Sequence, residues 1–457
     1  INTAVLKNYL NGNIIDITTT WRSLAILKND GSVSTWGDCD CGDLFTWKIQ
    51  SSSTSSTTSP IVNTEIGNKL QQDVLKVYAS RTSFAALKKD GTVITWGNPR
   101  AGGLGDGVND SNYSNNSTPI NEIKNVKEIF ATDRAFAALK YDGSVVTWGG
   151  VGDGFDNKSG GDSSSVSNSI SSSVSQVYAT GRAFAALKND GSVITWGGVD
   201  YGGDSSSVSS QLQGNVIHVF TTKFAFAALK DNGSLVVWGN STYGPGDSSS
   251  VNSSLQSGVI DVKSTEGAFA ALKNNGSIVV WGRSGWGDNI GNILNSNFSK
   301  IVGNYSAFSG LKTDGSVVSW GNSSAGGDNS SVINHISSNV VDLFYTSQSF
   351  SALRTDGSVI TWGNISNNSS ATTNYFSKIY SNSAAYVGLV GHDILDQNGN
   401  EVITSLPREN GKYPFLIDLE ISLDGKSPTI ELIADNYAIS PSPVSYTHLR
   451  AHETLMN

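Results

Sequence analysis

The stretch that decides the fold is AFAALKNDGSVITWGG, residues Ala183–Gly198, which occurs eight times in the chain with small changes. The copies begin at Ser23, Ser83, Ala135, Ala183, Ala225, Ala268, Ala307 and Ser349. Each copy ends in a Trp-Gly pair, and the tryptophans are Trp36, Trp96, Trp148, Trp196, Trp238, Trp281, Trp320 and Trp362. Successive tryptophans lie 39 to 60 residues apart. Such a period, with a turn signal inside each copy, indicates a repeat architecture.

One copy reads as a β-hairpin preceded by a further strand. The centre, Lys188-x-Asp190-Gly191-Ser192, is a hairpin signal because glycine accepts a positive φ and Asp or Asn tolerates the neighbouring turn conformation. The flanking segments FAALK and SVITW are apolar on both faces, which indicates cover above and below. Upstream, VSQVYAT at 174–180 supplies a third strand.

Small sheets that are buried on both faces by their neighbours are typical of propeller blades. We therefore predict an all-β fold, a closed β-propeller of seven or eight blades with about 40–60 residues per repeat; an open β-solenoid is the alternative. The alanines leave room near a crowded axis, and one Trp in each copy fills the wider gap between blades. Residues 1–390 are assigned to the propeller. Residues 391–443 hold a degenerate ninth repeat and the start of a truncated β-rich module.

The last segment, residues 444–457, is interpreted as an artefact. VSYTHLRAHET at 444–454 resembles one reading frame of the transposon-end adapter used in sequencing libraries, so we exclude it as a scar. The chain starts at Ile1, and its single methionine is Met456. We expect a fragment of a longer protein, of metagenomic origin.

Composition excludes several classes of partner. The formal net charge is −9, charged residues make 15% of the chain, and Lys and Arg form no run. Nucleic-acid binding needs a basic footprint, so we expect no nucleic-acid partner. No apolar run approaches the roughly 18 residues of a membrane helix, and no signal peptide opens the chain.

At this point the residues resemble a known family. VYATGRAFAALKNDGSVITWGGVDYGGD, residues 177–204, is similar to the regulator-of-chromosome-condensation repeat, with its Asp-Gly turn, Trp-Gly pair and glycine-rich loop. The second copy, WGNPRAGGLGDG at 96–107, resembles that family's glycine-leucine-glycine loop. The resemblance covers roughly residues 14–361 and implies a β-propeller, usually of seven blades. The family includes exchange factors for small GTPases, bacterial inhibitors of β-lactamase and large bacterial surface proteins.

Three departures point away from the exchange factors. Ala or Ser replaces the family's His before the second strand, as at Ala135 and Ser83, and Phe follows it. Four loops end in Gly-Gly-Asp-Ser-Ser-Ser-Val or a close variant of it, as at 202–208. These features resemble the bacterial surface and β-lactamase-inhibitor branch. We therefore expect a secreted or surface-attached, non-enzymatic protein that recognises a protein or glycan through blade loops; an inhibitor of an extracellular hydrolase such as β-lactamase, or a hydrolytic enzyme, is the alternative.

The sequence contains few candidate catalytic or metal-binding residues. His218, His335 and His392 stand in unrelated contexts, and no nucleophile elbow or zincin motif accompanies them. Cys39 and Cys41 form a Cys-x-Cys pair with no second pair to complete a zinc site. We predict no catalytic residue, no cofactor and no metal site from these groups, and we expect His218 to be an exposed strand residue.

The recurring Gly-Gly-Asp loops supply the candidate binding residues. Their aspartates are Asp106, Asp162, Asp204, Asp247, Asp288 and Asp328. Each Asp either fixes its own loop by accepting backbone N–H groups or contributes to an acidic rim for Ca²⁺ or a cationic partner. Aromatic residues outside the core pattern complete the set: Trp47, Tyr201, Tyr243 and Trp286.

Overall fold

The computed structural model describes residues 14–37, 45–47, 60–62, 64–103, 123–150, 159–242, 244–287, 293–295, 297–364, 378–381 and 386–389. The described residues divide into two compact units. The first contains sheets 1 to 5, defined below, except residues 232–235, and the second contains those residues and sheets 6 to 8. The predicted segments 391–443 and 444–457 lie outside the described residues.

Each of the eight copies forms an antiparallel sheet in which the second strand lies between the first and the third. The strands are Ile14–Thr19, Ser23–Lys28 and Val33–Gly37 in sheet 1; Val74–Ala79, Ser83–Lys88 and Val93–Gly97 in sheet 2; Val126–Ala131, Ala135–Lys140 and Val145–Gly149 in sheet 3; and Val174–Ala179, Ala183–Lys188 and Val193–Gly197 in sheet 4. They continue as Val216–Thr221, Ala225–Lys230 and Leu235–Gly239 in sheet 5; Val259–Ser264, Ala268–Lys273, Ser277–Gly282 and Ile293–Asn295 in sheet 6; Phe298–Gly303, Ala307–Lys312 and Val317–Gly321 in sheet 7; and Val340–Tyr345, Ser349–Arg354 and Val359–Gly363 in sheet 8.

Two further strand pairs lie outside these sheets. Phe45–Trp47 pairs with Pro60–Val62, and Lys378–Ser381 pairs with Tyr386–Leu389. The helices are short: Thr64–Lys69 and Ile333–Ile336 are α-helical, and single 3₁₀ segments occupy several connections. The 3₁₀ segments are Pro99–Ala101, Ser164–Val166, Val199–Tyr201, Ser206–Leu212, Ser249–Leu255, Ser323–Ala325 and Ser330–Val332.

Sheets 2, 3, 4 and 7 each pack against a neighbouring sheet on both faces, as their sequence predicts. One face of sheet 4, with Phe184 and Trp196, packs against Ala137 and Leu139 of sheet 3. The opposite face carries Ala183, Ala185, Leu187 and Val193, which pack against Phe226 and Trp238 of sheet 5. The same division recurs between sheets 1 and 2, 2 and 3, 6 and 7, and 7 and 8. Alternate residues of one strand therefore belong to two different hydrophobic clusters.

The repeated tryptophan joins neighbouring copies. Trp196 is buried, stacks on Phe184 across the hairpin at a ring-centroid distance of 5.4 Å, and donates its indole N–H to the Gly160 carbonyl at 2.9 Å. Gly160 belongs to the loop of the preceding copy. Equivalent bonds run from Trp238 to Gly202, from Trp281 to Pro245 and from Trp362 to Gly326. This confirms the prediction that the Trp fills the gap between sheets.

The hairpin glycine has a second role beyond its turn. The Gly191 carbonyl accepts the N–H of Val216, where the next sheet begins, at 3.0 Å. A Cβ on Gly191, whose φ is +76°, would stand 2.6 Å from the backbone nitrogen of Asn215. Asn215 itself adopts a left-handed φ of 66° before the strand. Glycine is therefore required both by the turn and by the close approach of the next copy.

We predict that replacing Trp196 with Phe costs about 1 kcal/mol more stability than replacing Trp148 with Phe, because only the first change breaks an indole hydrogen bond. The two tryptophans are equally buried and stacked, and the Trp148 N–H finds no acceptor among the described residues. Urea unfolding of the two variants measures the difference. Equal losses would contradict the role assigned to the bond with Gly160.

We also predict that Gly191→Ala destabilises the protein by more than about 1 kcal/mol, because it forces a methyl group into a strained, occupied position. Gly67→Ala is the matched control. Gly67 lies in the helix Thr64–Lys69, and a Cβ there meets nothing within 4 Å, so alanine should stabilise by up to about 1 kcal/mol. Thermal unfolding of both variants tests the pair; a neutral Gly191→Ala variant would argue against the close contact.

Candidate binding face

The two ends of each sheet differ in how strictly their sequence repeats. At one end, the tip end, the second and third strands meet in the turn Lys-x-Asp/Asn-Gly-Ser/Thr in seven copies, with Arg354 replacing Lys in the eighth. At the other end, the turn end, the first strand turns into the second through three residues. The first is Thr, Ser or Asn, and the next two differ in every copy: Trp21-Arg22, Arg81-Thr82, Asp133-Arg134, Gly181-Arg182, Lys223-Phe224, Glu266-Gly267, Tyr305-Ser306 and Ser347-Gln348.

Main-chain hydrogen bonds link these turns into rows. In the first unit, the N–H of Trp21 donates to Arg81, that of Arg81 to Asp133, that of Asp133 to Gly181 and that of Gly181 to Lys223, each over 2.9–3.0 Å. In the second unit, Glu266 donates to Tyr305 and Tyr305 to Ser347. The variable residues of successive copies are therefore neighbours, and their backbones are fixed whatever side chains they carry.

The first residue of each turn also holds the loop that follows the Trp-Gly pair. The Thr180 hydroxyl accepts the N–H of Ala183 and donates to the Tyr201 carbonyl at 2.8 Å. Thr265 repeats this arrangement with Ala268 and with the Trp286 carbonyl, at 2.7 Å. Tyr201 and Trp286, two of the predicted binding residues, thus occupy equivalent places beside the turns of their own copies.

Cationic and aromatic side chains meet at the turn end. The guanidinium groups of Arg22 and Arg81 lie 4.7 Å and 4.5 Å from the ring centroid of Trp21. Arg182 lies 5.1 Å from the ring of Tyr201, which packs on Phe224 at 5.3 Å. In the second unit, Arg283 lies 5.3 Å from Trp286, whose ring is 5.0 Å from that of Tyr305. These contacts preorganise aromatic and guanidinium groups on a half-exposed surface.

The aspartates of the Gly-Gly-Asp loops hydrogen-bond within their own loops. Asp162, Asp204, Asp247 and Asp328 each accept the backbone N–H of the serine two residues later, at 2.8–2.9 Å. That N–H bond and the serine hydroxyl hold the pKa of Asp204, Asp247 and Asp328 below the ordinary value. These hydrogen bonds show that the aspartates fix the conformation of their own loops. A binding role for the carboxylates stays a prediction.

Several predicted site residues lie outside the described residues, namely Asp106, Asp288 and Tyr243, with Cys39, Cys41 and His392. For Trp47 the backbone strand is described and the side chain is not. Within the described part of the chain, no group of three or more His, Cys, Asp or Glu side chains could hold a metal ion. No described helix is long and apolar enough to cross a membrane.

The described histidines differ in their surroundings. His218 is half-buried, so the expectation of an exposed strand residue is wrong. Its Nδ1 lies 3.2 Å from the hydroxyl of Tyr178, because the first strands of sheets 4 and 5 are neighbours and bring these side chains together. His335 is exposed on the helix Ile333–Ile336.

The turn residues themselves were missed by sequence reasoning, which followed the repeated positions. Trp21, Arg81, Arg134, Arg182 and Lys223 are absent from the predicted set. A signal for them exists in the sequence: two variable positions stand between an almost constant Thr and the repeated Ala-Phe. In a repeat protein, the positions that vary among otherwise constant copies are the ones at which function can differ.

No protein-family model matches the chain. Solved structures with a partial likeness include Prp20p of Saccharomyces cerevisiae, at 16% identity over 54% of this chain and 75% of that one, with a TM-score of 0.32. Human WBSCR16 is 17% identical over 73% of this chain and 85% of its own, with a TM-score of 0.34. The computationally designed Ika8 protein is 14% identical over 78% and 98%, with a TM-score of 0.31. At these scores the likeness carries no argument about fold or function, and the architecture rests on the eight sheets themselves.

The tip end supplies a test of the local electrostatics. The Asp90 carboxylate accepts hydrogen bonds from the Thr92 hydroxyl at 2.6 Å and from the Thr92 N–H at 2.9 Å. These bonds, the hydroxyl first, lower the pKa of Asp90 from its ordinary value of 3.8. Because the folded pKa is lowered, the bonds stabilise the fold above pH 3.8, and that stabilisation is lost as the pH falls through the folded pKa.

We predict that Thr92→Val raises the pKa of Asp90 towards 3.8 and leaves the pKa of Asp190, in the equivalent turn of sheet 4, unchanged. A carboxyl-carbon NMR titration of the parent protein and the variant measures both groups. An Asp90 that titrates at its ordinary value in the parent, or that ignores the substitution, would contradict the assignment.

Proposed function

We propose that the eight sheets are blades of a β-propeller of the regulator-of-chromosome-condensation repeat type, and that this propeller is a non-enzymatic binding module. It recognises a protein or glycan through the turn end of its blades. The proposal includes secretion or attachment to a bacterial surface, an assignment that rests on the acidic composition and on the Ser/Thr-rich insertion at 51–59.

The observation that carries the proposal is the contrast between the two ends of the sheets. The tip end repeats one turn in nearly every copy. In seven copies the carbonyl of the tip glycine accepts the backbone N–H that begins the next sheet; these glycines are Gly31, Gly91, Gly143, Gly191, Gly233, Gly276 and Gly315. The turn end keeps its backbone hydrogen bonds and changes its side chains. A surface with a rigid backbone and variable Trp, Tyr, Phe and Arg side chains has the composition of interface hot spots.

The proposal assigns the turn end a binding role without catalysis. The two described histidines, His218 and His335, lie on different elements, one beside Tyr178 and the other exposed on a short helix. Neither belongs to a constellation of nucleophile, base and orienting group among the described residues. The hydroxyl groups of Thr180 and Thr265 donate hydrogen bonds to the carbonyls of Tyr201 and Trp286, and these bonds hold both loops against the turns.

The test uses the full chain on a glycan array and on a panel of extracellular bacterial proteins that includes β-lactamases. Each ligand found is titrated against Tyr201→Ala, Trp286→Ala and the control Tyr141→Ala. Tyr141 is 74% exposed at the tip end of sheet 3, so it matches the other two in kind and differs in place. We expect Tyr201→Ala or Trp286→Ala to weaken binding by about tenfold or more, the loss typical of an aromatic anchor, and Tyr141→Ala to leave it unchanged.

Two results would contradict the proposal. The first is a ligand whose affinity falls with Tyr141→Ala and not with the turn-end substitutions. The second is turnover of a hydrolase substrate that disappears in His218→Ala or His335→Ala, which would make the protein an enzyme. Circular dichroism of each variant separates lost binding from lost folding.

A further inference from the structure

We infer that Asn232 and Asn275 are sites of spontaneous deamidation, a reaction that is slow while the tip turn is closed and fast once the turn opens. The two residues precede the tip glycine, at the position where the other six copies carry Asp. Both residues are exposed to solvent. The inference concerns the tip end, so it goes beyond the binding function proposed for the turn end and does not depend on it.

The sequence supplies the reactive pair. Asn followed by Gly is the pair most prone to deamidation, because glycine has no side chain to hinder attack by its backbone nitrogen. In the reaction the Gly276 nitrogen loses its proton to a solvent base and bonds to Cγ of Asn275, and the side-chain amide group leaves as ammonia. Water then opens the five-membered ring. One opening gives Asp, and the other gives isoaspartate, in which the main chain runs through Cγ.

The closed turn uses the hydrogen atom that this reaction must remove. The Gly276 N–H donates to the Lys273 carbonyl at 2.9 Å. Oδ1 of Asn275 accepts the N–H and the hydroxyl of Ser277, at 3.0 Å and 2.7 Å, so the side-chain amide is held in one orientation. Asn232 makes the same two bonds with the serine two residues later. Loss of the Gly276 proton therefore requires the turn to open.

The following copy holds the turn closed. The Gly276 carbonyl accepts the N–H of Phe298 at 2.8 Å, and the Gly233 carbonyl accepts the N–H of Val259 at 2.9 Å. A Cβ on Gly276 would stand 2.8 Å from the Cα of Asn297, so the two backbones are in close contact. A segment that is bonded on both sides opens less often than an isolated hairpin. The rate of deamidation thus reports how often a tip turn separates from the next copy.

The structure distinguishes the two products. Asp190, in the equivalent turn of sheet 4, accepts the N–H and the hydroxyl of Ser192 at 2.9 Å and 2.6 Å. Asn275 has the same arrangement, so Asp at this position can rebuild the turn. Isoaspartate adds one atom to the main chain beside Gly276, where the next backbone already lies close. Deamidation therefore either produces the common form of the turn or leaves it open.

The experiment follows both asparagines in the full chain, kept folded at mildly alkaline pH, by tryptic digestion and mass spectrometry. The peptides 231–263 and 274–283 contain one asparagine-glycine pair each. A synthetic peptide of residues 268–282 gives the rate without the fold. The variants Ser277→Ala and Ser234→Ala each remove one hydroxyl bond from one tip asparagine and leave the other tip as an internal control.

We expect Asn275 to deamidate at least about tenfold more slowly in the folded parent than in the synthetic peptide, and at the rate of the peptide when the chain is unfolded in urea. Ser277→Ala should accelerate Asn275 by about fivefold, the factor that corresponds to one lost hydrogen bond, and leave Asn232 unchanged. Ser234→Ala should do the reverse. In the synthetic peptide the Ser277→Ala change should have no effect.

Equal rates for Asn275 in the folded chain and in the peptide would overturn the inference. Acceleration of both asparagines by either substitution would also overturn it, because protection would then come from the whole fold and not from each turn. An Asn275→Asp variant should keep the melting temperature of the parent, whereas aged chains enriched in isoaspartate at this position should melt lower. A lower melting temperature for Asn275→Asp itself would contradict the fit of Asp to the turn.

Discussion

The constraint on which the structure depends is that every sheet is apolar on both faces. Phe184 and Trp196 of sheet 4 point one way, and Ala185 and Leu187 point the other, so no sheet can bury its surface alone. Neighbouring sheets bury these faces by stacking, as sheets 2, 3, 4 and 7 do on both sides. Repetition of the sequence follows from this requirement, because each copy presents the same pair of faces to its neighbours.

Polar groups then fix how neighbouring copies meet. The Trp196 indole N–H reaches the preceding loop at Gly160, and the Gly191 carbonyl receives the N–H that begins the next sheet. Both bonds are made where a buried polar group without a partner would be costly. Apolar packing brings the sheets together, while these bonds set the position of one copy on the next.

The same bonds explain which positions are constant among the eight copies and which positions vary. A tip glycine that touches the backbone of the following copy cannot be changed without strain, whereas the turns held by main-chain bonds carry different side chains in different copies. Trp21, Asp133 and Tyr305 therefore occupy one structural position with three different chemistries. A repeat protein of this kind can carry a specific surface without loss of packing, since the groups that bind are not the groups that fold.

The sequence by itself determined the units of the fold: eight hairpins, a preceding strand in each copy, two-sided burial and a tryptophan between sheets. These follow from periodicity and turn chemistry within one copy, as in Ala183–Gly198. The site was predicted less well. Tyr201 and Trp286 were found because they depart from the core pattern, but the half-buried setting of His218 and the variable turn residues were not. Contacts such as those of Arg81 with Trp21, or His218 with Tyr178, join residues 40 or more positions apart. Only tertiary structure brings such residues together. Sequence spacing specifies which residues are neighbours along a strand, whereas the hydrogen-bonded stacking of one copy on the next decides which turns become neighbours.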